Sequence, residues 1–182
     1  MGRSSKCIVI DADIARAASD RVTIDPRPKD CRKLLETITD TKHRVVRTEA
    51  IRREWDKHQS LFIRKWLASM FARKLVCKVD APANDQVHRN RERYALSENK
   101  RDAMLKDTHL IEAALQADKI VISMDETVRY CFGEVAHQIQ PLKLIVWANP
   151  CISEEAVIDW LQRGAPLEKE RLLGYGRENN LA

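Results

Sequence analysis

Two carboxylates stand at the ends of short apolar runs of the chain. Asp11 follows CIVI at 7–10, and Asp125 comes just after a second run, KIVIS, at 119–123. Runs of this length and composition predict strands that are buried on both faces, as in a parallel sheet. Ligands of open α/β sheets bind at the carboxyl ends of the strands, so both acids are predicted to lie at one functional edge.

Two further acids are predicted to lie on helices near that edge. Asp107 stands in the first turn of a helix that the apolar spacing predicts over 106–115. Glu54 lies on an earlier helix, predicted over 49–58. Glu49 of the same helix is the rival of Glu54, and the choice between them stays open at this stage.

Carboxylates that converge in this way cannot all stay ionised without a counter-charge. Their oxygens are hard ligands that suit Mg²⁺ or Mn²⁺. One or two such ions activate water and stabilise the leaving oxygen of a phosphodiester. The acid set therefore predicts a metal-dependent nuclease that uses no Ser, Cys or His nucleophile. His109 lies beside the apolar face of its helix and is predicted to be a packing or surface residue.

The elements that position these acids alternate between strand and helix patterns. Strands are predicted at 7–10, 44–47, 119–123 and 142–147, with a weaker extended segment at 75–79 and helices between them. This alternation predicts an α/β fold, a three-layer α/β/α sandwich with a mainly parallel central sheet. Residues 1–163 are predicted to form a single domain. Residues 164–182 have few apolar anchors and are predicted to be a loose C-terminal tail.

The composition of the chain limits the classes of protein to which it can belong. The chain has 182 residues, enough for one domain with its own core, and no apolar run is long enough to span a membrane. The first residues do not read as a signal peptide, since their one apolar segment leads straight into acids. The cysteines are scattered without a CxxC motif, which predicts free thiols and a cytoplasmic location. These cysteines are Cys7, Cys31, Cys77, Cys131 and Cys151.

A basic stretch precedes Asp107, and the chain as a whole carries a net charge of +5. A solvated face is the ordinary explanation of such a stretch. Its position beside the acids favours contacts with the phosphate backbone of a nucleic acid, with little sequence preference. The residues predicted to make these contacts are Arg89, Arg91, Arg93, Lys100, Arg101 and Lys106.

The motifs that carry the acids resemble those of the PIN domain family of metal-dependent ribonucleases. In that family a first apolar strand ends in Asp, as in IVIDAD, and an early helix after Ser or Thr carries Glu, as in TEAIRREW. An Asp that opens an apolar helix is then followed by a strand and a T/S-x-D motif, as in KDTHLIEAALQADKIVISMDE. The resemblance spans roughly residues 7–147, and its last motif is the most specific.

The resemblance implies a PIN-like domain that cleaves RNA as an Mg²⁺- or Mn²⁺-dependent endoribonuclease. It implies a set of catalytic metal ligands, which are Asp11, Glu54, Asp107 and Asp125. It also implies a supporting role for Ser123, and Asp13 is a further candidate for such a role. The resemblance leaves three biological settings open, namely a toxin held by an antitoxin, a defence effector, or an RNA-processing enzyme under a regulatory protein. Members of the family often pair, so a homodimer stays open.

Two other functions stay open from the sequence. IVIDAD also resembles the DxD opening of haloacid-dehalogenase-type phosphatases, with Asp11 as nucleophile and Asp13 as acid or base. The later paired acids of that family are missing, because VISMDE offers a single Asp. The third hypothesis is a non-catalytic interaction module with the same fold. The filled acidic positions count against it.

Overall fold

Five parallel strands form the centre of the molecule. The computed structural model describes residues 5–19, 26–58, 60–84, 87, 89 and 97–175. Within these ranges one sheet has the strand order β3-β2-β1-β4-β5. Its strands are β1 (Cys7–Ile10), β2 (Arg44–Arg47), β3 (Val76–Lys78), β4 (Ile120–Ile122) and β5 (Val146–Ala148). All four pairings are parallel.

Eight α-helices in the described ranges flank this sheet and complete a three-layer α/β/α sandwich, which confirms the predicted fold class. The first four are α1 (Ala12–Ser19), α2 (Arg27–Asp40), α3 (Glu49–Trp55) and α4 (Leu61–Ala72). The others are α5 (Glu98–Leu115), α6 (Glu126–Ala136), α7 (Gln140–Lys143) and α8 (Val157–Gln162). None of these helices combines the length and the apolar character needed to cross a bilayer.

The sheet is buried because helices cover both of its faces. Every side chain of β1, β4 and β5 is buried, which is why these strands are continuous apolar runs in the sequence. β1 and β4 run side by side, with Ile8 opposite Ile120 and Ile10 opposite Ile122. Their carboxyl ends therefore meet, and the Asp11 N–H donates to the carbonyl of Ile122 at 3.0 Å.

Helix α3 is held against the end of β1 by its cap and by a tryptophan. Thr48 caps the helix, since its hydroxyl oxygen accepts a hydrogen bond from the Ile51 N–H at 3.2 Å. The Trp55 Nε1–H donates to the Ile10 carbonyl at 3.0 Å, and its ring stacks on Trp66 with centroids 5.8 Å apart. These contacts fix the face of α3 that carries Glu54 beside the end of β1.

Helix α5 begins eight residues earlier than predicted. Ser97 caps it by accepting a hydrogen bond from the Lys100 N–H at 3.3 Å, and the helix runs from Glu98 to Leu115. Residues 98–105 are good helix formers but carry few apolar positions, so the periodic pattern does not reveal them. Asp107 therefore lies in the middle of a helix, and the prediction of a first-turn position was wrong.

The last strand is shorter than predicted. The apolar run 142–147 was expected to be one strand, but residues 140–143 form the short helix α7 and only Val146–Ala148 are extended. Pro141 stands at the start of α7, where its missing N–H is not needed and its fixed φ suits a helix. The proline therefore favours a helical turn over the first residues of the run, and only the end of the run is extended.

The described part of the C-terminal segment is packed, so the prediction of a loose tail was wrong for residues 164–175. The Leu173 N–H donates to the Ile145 carbonyl at 2.9 Å, and Leu172 forms an antiparallel bridge with Val146. The buried Arg171 guanidinium lies 4.8 Å from the ring centroid of Trp160. These long-range contacts have no local sequence signature. Residues 176–182 lie outside the described ranges.

Two of the cysteines are paired, which corrects the prediction of free thiols for both of them. Cys7 of β1 and Cys77 of β3 form a disulfide, with Cα atoms 6.4 Å apart. Cys31, Cys131 and Cys151 are free. Disulfides are uncommon in cytosolic proteins, so the cysteine pattern no longer argues for a cytoplasmic location.

Candidate functional site

All the predicted acids line one cleft at the carboxyl ends of β1 and β4. The cleft has a volume of about 640 Å³. We call it the carboxylate cleft. Glu126 also lines it, and the predicted acids that line it are Asp11, Asp13, Glu54, Asp107 and Asp125. They come from a strand end, the first turn of α1, two helices and the loop after β4. The fold thus brings together residues that are up to 114 positions apart in the sequence.

Ser123 is the hydrogen-bonding centre of this cleft. It is fully buried, and its hydroxyl lies 2.7 Å from Asp11 Oδ2 and 3.1 Å from Asp13 Oδ2. The hydroxyl has one proton, so it donates to one of these carboxylates at a time. Its oxygen also accepts a hydrogen bond from the Asp125 N–H at 3.0 Å. Ser123 therefore links three of the acids, which fits the supporting position predicted for it.

Asp11 is the most buried of the acids, with 7% of its surface exposed. Burial raises the pKa of Asp11 because the charged form loses its hydration, and the negative charge of Glu54 raises it further. The hydrogen bond from Ser123 and the N–H of Asp13 oppose this shift. Asp11 is thus held in place by hydrogen bonds, but these bonds only partly offset the cost of burying its negative charge.

The pKa values of Asp107 and Asp13 are raised for the same reasons as that of Asp11. Burial raises the pKa of Asp107 to about 7, and Asp11, Asp125 and Glu54 contribute to the shift by repulsion. Burial and the charge of Asp11 likewise raise the pKa of Asp13 to about 7, although the Met124 N–H donates to its Oδ2 at 2.7 Å. The acids of the cleft are therefore electrostatically coupled, and near neutral pH they attract protons or a cation.

The structure distinguishes the two candidate acids of α3. Glu49 is exposed and its carboxylate is bound by Arg52 at 2.7 Å and Arg53 at 3.1 Å, which lowers the pKa of Glu49 to about 2. Glu54 lines the cleft, and its Oε2 lies 3.5 Å from Nε2 of His109. Glu54 is therefore the acid that α3 directs toward the site.

His109 lies in the site region, although the sequence predicts a packing or surface role. Its Nδ1 lies 2.9 Å from the Lys106 carbonyl, which only accepts hydrogen bonds, so Nδ1 carries a proton. Its Nε2 is buried, and no hydrogen-bond partner for it is found among the described residues. If the ring of His109 is protonated, it forms an ion pair with Glu54. If the ring is neutral, its unprotonated Nε2 faces the Glu54 carboxylate.

Basic residues surround the acids at the mouth of the cleft. This basic rim consists of Arg16, Arg27, Lys57, His58 and Lys106. Only Lys106 belongs to the predicted phosphate-binding set. Arg16 lies one helical turn after Asp13, and Lys57 and His58 lie one turn after Glu54. Helical spacing from the acids is thus the signal that could have identified these three residues.

The other predicted phosphate-binding residues do not gather at the cleft in the described structure. Lys100 contacts α6 instead, where its Nζ lies 2.6 Å from Glu134 Oε2 and 5.2 Å from the ring centroid of Tyr130. Arg89 and Arg101 are exposed. Arg91 and Arg93 lie outside the described residues.

The donor set of the cleft suits a hydrated hard cation. Within the described ranges, no group of three or more His, Cys, Asp or Glu side chains is spaced as a ready-made metal site. Mg²⁺ keeps several waters and takes one or two carboxylates directly, so it needs no such group. Asp13 Oδ1 is buried without a hydrogen-bond partner in the described structure, and the neighbouring donors are carboxylate oxygens. These residues fit Mg²⁺ or Mn²⁺ better than a soft metal.

Comparisons of the chain with family models, with curated proteins and with solved structures find no match. The likeness to PIN domains therefore rests on the sequence motifs, and the function must be argued from the carboxylate cleft itself.

Proposed function

We propose that this protein is an endoribonuclease that hydrolyses RNA phosphodiester bonds with the help of Mg²⁺ or Mn²⁺. The observation that carries the proposal is the carboxylate cleft, where coupled acids with raised pKa values lie inside a basic rim. Acids in that state favour a bound cation, and a basic rim favours a polyanion. The two features together suit a phosphodiester substrate, and the PIN-like motifs favour RNA.

The acids divide into direct ligands and supports. Asp11 and Asp107 are the residues we assign to the cation, and Glu54 and Asp125 complete the shell from the more exposed side. A divalent cation, when bound, supplies an activated water and stabilises the leaving oxygen. Asp13 and Ser123 orient Asp11 and the loop after β4, as outer-shell groups commonly do around metal ligands.

The substrate path extends beyond the acids. A second groove of about 620 Å³ shares Lys106, Asp107 and Asp125 with the carboxylate cleft and continues past Asn99 and Leu105. We assign the basic rim to the phosphates on one side of the cut and this groove to the nucleotide on the other. The amide of Asn99 and the exposed side chain of Leu105 offer a polar and an apolar contact to a base.

The partners follow from the proposed activity. RNA is the substrate, and an antitoxin or regulatory protein would restrain the enzyme in the cytoplasm, where RNA is abundant. The apolar side chains Ile63, Trp66 and Met70 of α4 are buried in the core. Leu61 and Phe71 are the large apolar side chains of this helix that remain exposed for a protein partner or a second copy.

Cleavage of a labelled single-stranded RNA tests the proposal. We expect cleavage with Mn²⁺ or Mg²⁺, loss of cleavage in EDTA, and a decrease of roughly 100-fold or more in the Asp11→Asn variant. Glu49→Gln is the matched control, because this acid lies on α3 outside the cleft and should keep the wild-type rate. Cleavage that persists in EDTA, or an Asp11→Asn variant as active as wild type, would overturn the proposal.

The phosphatase alternative has one observation in its favour, the pKa of about 7 for Asp13, which suits an acid or base. Its geometry is less suitable. Asp13 Oδ2 is bound by the Met124 N–H and faces Ser123, while Oδ1 is buried. A carboxyl held in this way is poorly placed to exchange a proton with a leaving group. Phosphate release from a small aryl phosphate that Asp13→Asn abolishes would establish this alternative.

A further inference from the structure

Three sulfur atoms meet beside the carboxylate cleft. Cys31 comes from α2, Met124 from the loop between β4 and α6, and Cys151 from the segment after β5. The Cys31 Sγ lies 3.6 Å from Met124 Sδ, and the Cys151 Sγ lies 3.5 Å from the same atom. Both cysteines are free. Three separate parts of the fold thus bring two thiols and one thioether to a single point.

The spacing of these atoms is close to that of a three-coordinate metal site. A metal bound at about 2.3 Å from each sulfur would keep three sulfurs about 4 Å apart. The two separations in the structure are shorter than this by about half an ångström, so a small rotation of the side chains would admit an ion. Cys31 is fully buried, while Cys151 and Met124 are partly exposed and provide access.

The two cysteines are in contact, with opposite effects on their thiols. The hydrogen bond between them raises the pKa of the Cys31 thiol, and burial raises it further, whereas the same bond lowers the pKa of the Cys151 thiol. The bound cation itself must therefore displace the proton of Cys31, since the thiolate is the form that binds metals. The Cys151 N–H donates in turn to the Asn149 side-chain oxygen at 3.0 Å, which holds the segment that carries this cysteine.

We propose that Cys31, Met124 and Cys151 form a second metal site, which takes a soft monovalent cation of the Cu(I) type. Thiolate and thioether sulfurs select such ions and bind Mg²⁺ and Mn²⁺ poorly, whereas the carboxylate cleft has the opposite preference. Loading releases the two thiol protons, and the copper keeps its oxidation state. The site does not depend on the proposed nuclease activity.

The two sites share one residue. Met124 offers its sulfur to the proposed site, while its N–H donates to Asp13 Oδ2 at 2.7 Å. Its carbonyl also lies 3.4 Å from the side-chain nitrogen of Asn149. A cation on the sulfur therefore restrains the loop that carries Asp125 into the cleft. Occupancy of the sulfur site by Cu(I) is thus expected to alter the carboxylate cleft.

Competition for Cu(I) under anaerobic conditions, between the whole protein and a chromophoric Cu(I) chelator, tests the proposal. We expect the wild type to bind one Cu(I) and to release about two protons in weak buffer, as thiolate binding requires. Cys151→Ser should weaken binding by about 100-fold or more, and Cys31→Ser should do the same. Met124→Leu, which keeps the apolar volume, should weaken it by about tenfold.

Cys131→Ser is the matched control, because Cys131 is a free, buried cysteine of α6 outside the sulfur cluster. It should bind Cu(I) as the wild type does. Equal affinity in the wild type and in the Cys31→Ser Cys151→Ser double variant would overturn the proposal. So would a loss in Cys131→Ser as large as that in Cys151→Ser. Thermal unfolding identifies any variant that fails to fold. If a cysteine variant fails to fold, the affinity of Met124→Leu for Cu(I) decides whether the proposal holds.

Discussion

Two groups of acids in this molecule have opposite electrostatic surroundings. Beside Trp160, Glu155 lies between two arginines: Arg129 pairs with its Oε1, and the Arg171 Nη1 lies 3.4 Å from its Oε2. Glu168 extends this arginine cluster by pairing with Arg171 at 2.7 Å. The acids there are neutralised within the fold by guanidinium groups.

The carboxylate cleft has acids without permanent partners. In the described part of the chain, neither Asp11 nor Asp107 forms an ion pair with a lysine or arginine, and the pKa values of both are raised. The basic rim surrounds these acids but does not neutralise them. The comparison shows that the fold compensates the acids beside Trp160 and leaves Asp11 and Asp107 without a lysine or arginine partner among the described residues. Our proposal of a reversibly bound cation requires this state.

Removing an acid should therefore have opposite effects in the two regions. Glu155→Gln is expected to lower the free energy of unfolding by about 2 kcal/mol, because two partly buried arginines each lose one of their carboxylate partners. Urea unfolding in EDTA measures the effect, with the exposed Glu49→Gln as the control, which should unfold at nearly the same urea concentration as the wild type. An equally large decrease of the free energy of unfolding in Asp11→Asn would contradict the predicted contrast between the two regions.

The raised pKa of Asp107 predicts a pH dependence of stability. Its pKa is about 7 in the folded state and 3.8 ordinarily, so between these values the folded protein holds the proton more tightly than the unfolded chain. This contribution is complete below about pH 4 and is lost as the pH rises through 7. After allowance for solvent screening we expect about 1–2 kcal/mol.

Urea unfolding of wild type and Asp107→Asn in EDTA, at several pH values between 4 and 8, isolates this contribution. The variant should show a shallower decline, since Asp11 and Asp13 still contribute to it, and should be the more stable protein at pH 8. Parallel pH profiles for the two proteins would contradict the predicted repulsion in the cleft.

The basic rim should contribute a smaller, salt-dependent term to RNA binding. Lys57→Ala is expected to reduce the slope of log Kd against log salt by about 0.7, since one phosphate contact is lost. Fluorescence anisotropy with a single-stranded RNA in EDTA measures this slope. Lys100→Ala is the matched control, because that lysine pairs with Glu134 away from the cleft. Equal slopes for both variants would mean that the rim does not bind phosphate.

The sequence alone was sufficient for the sheet and for most of the acids. Continuous apolar runs mark strands buried on both faces, so the ends of β1 and β4, and with them Asp11 and Asp125, could be located. Glu54 could be proposed because it lies near the apolar side of its helix. The fold class followed from the alternation of strands and helices.

What the sequence did not reveal depends on contacts between distant segments. Asp13 reaches Met124 and Ser123 across more than 100 positions, and Cys7 pairs with Cys77 through the order of the strands. The packing of Arg171 on Trp160 likewise needs the tertiary structure. The start of α5 was missed for a local reason, because a mostly polar helical segment shows no apolar periodicity.

Calorimetric titration of Mn²⁺ into the metal-free protein near pH 7 tests the central claim, that the cleft acids hold a removable cation. The account predicts that the wild type and Glu49→Gln bind Mn²⁺ and release protons, because acids with pKa values near 7 lose them to the metal. It also predicts that Asp11→Asn loses this binding. Equal Mn²⁺ binding by Asp11→Asn and wild type, or none by either, would contradict it.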